Sequence, residues 1–117
     1  MSNITRTGGN HRMSKVVRHE NTLYLAGQVP DDVSVGITGQ TQEVLAKVSR
    51  ILEEHGSSKS RILSCQIYLS DMRYFAEMNA VWDQWVDADH APARATVEAR
   101  LASPAKFIEV CIVAATE

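Results

Sequence analysis

Cysteine is scarce: the chain has two in 117 residues, Cys65 and Cys111. Neither belongs to a Cys-x-x-Cys pair or to a Cys/His ligand spacing, so neither a disulfide scaffold nor a zinc-organised fold is indicated. Both lie in apolar stretches and read as buried, reduced thiols. The four histidines, His11, His19, His55 and His90, stand in polar or loop-like surroundings with no i, i+4 pair, so no metal site is expected. Charge of one sign is also lacking. Twelve basic residues face 14 acidic ones, for a net charge of −2 and a pI of about 6.1. The densest basic cluster, Lys59 to Arg61, is two charges around a serine, which is no footprint for nucleic acid or an anionic membrane. No run of roughly 18 apolar residues is present. Residues 1–14 are polar and hold no signal-peptide apolar core, so the expected location is the cytoplasm.

What is present is an ordinary globular balance, 44% apolar and 22% charged, over a length that suits one domain with a real core. The expected domain is 1–117, with residues 1–12 as a flexible arm in which Gly8-Gly9-Asn10 is a turn signal. Residues 14–19 and 22–28 read as a hairpin around Glu20-Asn21. Gly27, inside the second strand, marks a bulge or a place where another group approaches the backbone. Thr38 is the expected cap of a helix that ends at His55-Gly56. Its apolar stripe is Val44, Leu45, Val48, Ile51 and Leu52. A strand over 61–69 follows, with Leu63, Cys65, Ile67 and Leu69 facing one way. Asp71 then caps a second helix with a buried stripe of Phe75, Met78, Trp82 and Trp85 or Val86.

The last quarter carries the best functional lead. Pro92 to Leu101 alternates, with Arg94, Thr96, Glu98 and Arg100 on one face and Ala95, Val97, Ala99 and Leu101 on the other. After a short turn, Phe107 to Ala115 is apolar nearly throughout, yet Glu109 sits in its middle. A carboxylate in a buried strand costs several kcal/mol unless a cation or donors meet it. Counting from a turn near Ser103-Pro104 places Glu109 opposite Arg100, a purely structural pair. Alternatively, Arg94 and Glu109 meet through a neighbouring strand or another subunit. The order ββαβαββ is that of an α+β fold, one sheet with two helices on one face. The uncovered face would carry Tyr24, Ser64, Gln66, Tyr68 and Thr96, polar but largely uncharged, which suits packing against copies of itself.

Taken together, these segments resemble the RidA/YjgF family, the reactive-intermediate deaminases also labelled L-PSP endoribonucleases. The matching pieces are Tyr24-Leu25-Ala26-Gly27-Gln28-Val29-Pro30, the Gln42 to Gly56 helix, Tyr68-Leu69-Ser70-Asp71-Met72, Met78-Asn79-Ala80-Val81-Trp82, Ala91-Pro92-Ala93-Arg94 and Ile108-Glu109-Val110. The resemblance implies a chorismate-mutase-like subunit, a homotrimer around a central β-barrel, and ligand clefts between subunits. It implies hydrolysis of enamine or imine intermediates such as 2-aminoacrylate to a 2-keto acid and ammonia, without metal or cofactor. By the same resemblance Arg94 binds the substrate carboxylate, Glu109 activates water, and Gly27, Ala26, Thr96, Asn79 and Ser14 line the substrate. Ser14, Ala26 and Thr96 stand where the family archetype has a tyrosine, a serine and a cysteine, which points to a divergent, YoaB-like branch.

The chemistry is consistent with that implication. A guanidinium fork holds a carboxylate bidentately. A carboxylate in the same cleft can deliver water to an imine carbon and return a proton to nitrogen. The competing readings are a non-catalytic binder of small carboxylates using the same cleft and an endoribonuclease or translation inhibitor. The acidic pI argues against the latter.

Overall fold

The computed structural model describes residues 3–116. Its strands are β1 (Ile4–Thr7), β2 (Val16–His19), β3 (Thr22–Leu25), β4 (Ile62–Leu69), β5 (Ala93–Glu98) and β6 (Ile108–Ala115), and its helices are α1 (Ile37–Glu54) and α2 (Phe75–Trp85). The strands form one mixed sheet in the order β1-β2-β3-β6-β4-β5. Every neighbouring pair is antiparallel except β4 and β5, which run parallel, with α2 in the connection between them. This is the expected α+β class with one sheet and two helices. The first strand is additional: residues 4–7 of the expected arm pair with β2, and residues 1–2 of that arm lie outside the described residues.

The core lies between the sheet and the helices. Ile108, Val110, Ile112 and Ala114 of β6 are buried while Glu109, Cys111, Val113 and Ala115 on its other face are half-exposed, the period-2 pattern of a strand covered on one side. Leu23 and Leu25 of β3 and Cys65, Ile67 and Leu69 of β4 join the same layer. The α1 stripe is as expected, with Val44, Leu45, Val48 and Leu52 buried and Ile51 packed at the side. Gln40 and Thr41, one turn earlier, are also fully buried. Gly56 closes the helix with φ +78°.

Several expectations change. The N-cap of α1 is Gly36, without a side-chain cap, because the helix starts at Ile37. Thr38 therefore lies inside the first turn, and its hydroxyl reaches Glu77 at 3.5 Å. Glu43 faces sideways and accepts the backbone N–H groups of Asp31 and Asp32 at 2.7 and 3.0 Å. In β4 a register shift between Ile62 and Ser64 turns Leu63 out, 51% exposed, and puts Ile62 in the core. Asp71 caps a 3-10 turn, Met72–Tyr74, that leads into α2 rather than the helix itself. In α2, Met78, Val81 and Trp82 are buried, whereas Phe75 is not.

The largest correction concerns the last two strands. They are not a hairpin. Strand β6 lies between β3 and β4, and β5 lies beyond β4 at the sheet edge. Residues 99–107 cross the end of β4, anchored by the Ala99 N–H on Leu69 O at 2.9 Å and the Ser70 N–H on Phe107 O at 3.0 Å. Across the sheet Glu109 is opposite Tyr68, and Tyr68 is opposite Val97.

Candidate functional site

The parallel register of β5 decides which way Arg94 points. Its partner on β4 is Cys65, a core residue, so Arg94 shares the helix-covered side of the sheet. There it crosses α2. Its Nη1 donates to Asn79 Oδ1 at 2.7 Å, and its Cζ lies 5.1 Å from the Trp82 ring centre and 6.0 Å from that of Phe75. Phe75, Asn79 and Trp82 are spaced i, i+4 and i+7, one stripe of the helix, and the guanidinium lies along it. No carboxylate pairs with Arg94 among the described residues. Its charge is met by an amide oxygen and by ring faces alone.

Thr96, two residues on, faces the same covered side, not the open face expected for it. Its Oγ1 is buried with no hydrogen-bond partner among the described residues. Cys65 lies beside this row, and burial pushes its thiol up to about 12, so it stays protonated and inert at neutral pH. Burial also raises the Cys111 thiol, on the other face.

Glu109 lies on the opposite, open side of the sheet, since Ile108 and Val110 on either side of it are buried. Its carboxylate rests against Gly27, where a Cβ would overlap Glu109 Oε2. The expectation that something approaches the Gly27 backbone is met, and the group is this carboxylate. The peptide is held in place by the flanking Gln28–Val110 bridge, whose two N–H···O bonds measure 2.8 and 2.9 Å. Ala26 donates its N–H to Lys15 O at 2.9 Å, and half-buried Ser14 precedes Lys15 in the β1–β2 connection. Ala26 and Gly27 border a cleft of about 530 Å³ against α1, whose walls include Lys15, Lys47 and Arg50.

The expected site residues thus fall into two groups. Arg94, Asn79 and Thr96 stand at the β5–α2 side, while Glu109, Gly27, Ala26 and Ser14 stand around the end of β3. Arg94 and Glu109 project from opposite faces of one sheet and do not meet within a chain. The alternative structural pair does not form either. Arg100 and Glu109 border the same hollow of about 310 Å³, with Tyr68 and Cys111, but make no ion pair. Sequence reasoning missed Phe75 as a neighbour of Arg94, having placed it in the core. The spacing from Asn79 was the available signal.

Fold and site together define a class: a small α+β protein of one mixed sheet and two helices that holds an arginine at the sheet edge with no counter-ion among the described residues. Comparison with known proteins identifies which one. The family model described as endoribonuclease L-PSP matches residues 4–116. The RutC family protein YoaB of Escherichia coli K12 is 46% identical over 112 residues, covering 96% of this chain and 97% of that protein. A RutC family protein of Haemophilus influenzae is 46% identical over 104 residues, 88% of this chain and 90% of its own. Among solved structures, a YjgF-family protein from Neisseria meningitidis superposes with a TM-score of 0.93 at 44% identity, covering 97% of this chain and 95% of that one. An uncharacterized protein from Pseudomonas aeruginosa superposes with a TM-score of 0.94 at 38% identity, covering 97% and 99%. The chain belongs to the RidA/YjgF family.

Proposed function

We propose that the protein is an enamine/imine deaminase that hydrolyses 2-aminoacrylate-type intermediates to 2-keto acids and ammonia in clefts between the subunits of a homotrimer. The observation that carries this reading is the Arg94 guanidinium, fixed by neutral groups and uncompensated by any acid among the described residues. A substrate carboxylate supplies the missing charge through paired N–H donors. Glu109 takes a proton from water as its oxygen adds to the imine carbon. The proton then passes to nitrogen, and collapse of the carbinolamine releases ammonia and leaves the carbonyl. Atoms balance as imino acid plus water giving keto acid plus ammonia.

The opposite orientations of Arg94 and Glu109 support the subunit arrangement. One chain offers Arg94 with Asn79 and Thr96, and its neighbour offers Glu109 with Gly27, Ala26 and Ser14. The open sheet face, with Tyr24 and Val97 46% and 44% exposed, is the surface that would line the central barrel. No helix among the described residues is long and apolar enough to cross a membrane.

The test is release of ammonia and keto acid from enzymatically generated 2-aminoacrylate. Wild type should exceed the enzyme-free rate at least tenfold and Arg94→Ala should fall back to it. Equal rates for both at background would reject deamination. A second reading, a carboxylate binder without turnover, is favoured by the absence of Glu109 from the Arg94 side of each chain. It predicts thermal stabilisation by 2-keto acids that Arg94→Ala abolishes, with no ammonia released. The family description as an endoribonuclease is the weaker reading. A net charge of −2 offers little counterion-release drive for RNA binding. RNA cleavage that persists in rigorously repurified Arg94→Ala would revive it.

A further inference from the structure

Phe75 is an aromatic residue on an apolar helix stripe that takes no part in the core. It is 37% exposed, while Tyr74, Trp85, Val86 and Phe107 pack onto the core from its margins. Most of its surface is covered, yet it joins neither the core nor the residues packed against it, so core packing alone does not explain its place. The contact it does make is with Arg94, whose Cζ lies 6.0 Å from its ring centre, while Trp82 takes the same group at 5.1 Å. Both distances fall within the range over which a guanidinium is held by the ring quadrupole.

We propose that Phe75, together with Trp82, is a positioning residue for the Arg94 anion site, a neutral aromatic clamp that orients the guanidinium without lowering its charge. This inference rests on the reading of Arg94 as the carboxylate-binding group and extends it to residues that take no hydrogen bond from the ligand. The physical argument is a comparison of ways to hold an arginine. A carboxylate partner fixes the fork but occupies the N–H donors and cancels the charge an incoming anion needs. A side chain without partners keeps its charge but loses rotamer freedom on binding, which weakens affinity. Two ring faces and one amide oxygen avoid both costs. Of the five N–H donors of a guanidinium, one on Nη1 is engaged among the described residues, with Asn79. The three clamp residues sit one turn apart on α2, so the helix sets their spacing.

The clamp is tested with Phe75→Leu, which keeps an apolar side chain and removes the ring, and Phe75→Tyr, which keeps the ring. The probe is 2-oxobutanoate, titrated by calorimetry, alongside steady-state kinetics on enzymatically generated 2-aminoacrylate. Phe75→Leu should raise Kd and KM roughly three- to tenfold, the range expected for a partly exposed cation–π contact, with kcat unchanged. Phe75→Tyr should stay within about twofold of wild type. In an Arg94→Ala background, Phe75→Leu should change binding no further. Because Phe75 lies outside the core, the melting temperature of Phe75→Leu should stay within about a degree or two of wild type. Wild-type affinity in Phe75→Leu would overturn the clamp and leave the deaminase reading standing. A fall in melting temperature shared by the leucine and tyrosine variants, with no separation of KM from kcat, would assign Phe75 a structural role and overturn it too. Wild-type protein that neither binds 2-oxobutanoate nor releases ammonia would remove both readings together.

Discussion

Thr96 bears a cost that other hydroxyls of this chain avoid. Thr41 bonds Ile37 O at 2.7 Å and Ser57 bonds Ala115 O at 2.6 Å, whereas Thr96 Oγ1 is buried with no partner among the described residues. A hydroxyl taken out of water without a replacement bond is destabilising. Thr96→Val keeps the shape and removes the oxygen. Its unfolding free energy should therefore rise by about 1 kcal/mol, read as a higher urea midpoint with an unchanged m-value. A lower midpoint would mean that the hydroxyl finds a partner in the assembled protein. Gly27 is a matching case from backbone geometry. Its value is the missing Cβ, which leaves space for the Glu109 carboxylate. Glycine inside a strand pattern signalled a close approach from sequence alone. That the approaching group is Glu109 depended on the Gln28–Val110 bridge, a contact across 82 residues of chain that no local pattern encodes.

At the scale of elements, periodicity found the faces of α1 and β6, misplaced Leu63, Phe75 and Thr96, and was a poor guide to ends. The α1 stripe and the alternation of β6 were legible because a helix or strand buries one side wherever it packs. The start of α1 was not, since Gly36 offers no capping side chain and Thr38 imitates one. The β4 bulge was equally hidden, and one extra residue was enough to exchange Ile62 for Leu63 in the core. Gln40 went unnoticed because a buried glutamine breaks an apolar stripe. It is fully buried and ties two connections to α1. Its Nε2 donates to Val35 O at 3.2 Å and to Ala105 O at 2.9 Å, and its Oε1 accepts the Phe107 N–H at 2.8 Å. Gln40→Leu removes those three bonds and keeps the bulk. It should lower unfolding free energy by about 3 kcal/mol, with amide exchange at Phe107 accelerating beyond the global change. An unaltered urea midpoint would show that the 99–107 connection is held by other contacts, among them the Tyr74–Phe107 ring pair at 5.1 Å.

At the scale of the whole molecule, the sheet separates the two residues on which the proposed chemistry depends. Arg94 looks toward the helices and Glu109 away from them, so under the proposed function a single chain supplies half of a site twice over. Val97 stands on the open face, 44% exposed and opposite Tyr68. Val97→Glu should leave the far-ultraviolet spectrum unchanged, because the subunit loses almost no burial. If the protein is the proposed trimer, Val97→Glu should yield monomers in sedimentation velocity and remove the proposed deaminase activity with it. A monomeric variant that keeps its activity would show that one chain suffices. The sequence by itself determined the α+β class, the apolar stripe of α1 and the family, because each is written in local periodicity or in a short motif. The tertiary structure alone decided that β5 runs parallel beside β4 instead of folding back on β6, and hence that Arg94 faces α2 while Glu109 faces Gly27. Alternation fixes which residues share a face of a strand. Which neighbour that strand takes, and so which side of the sheet the face joins, is settled by burial across the whole domain.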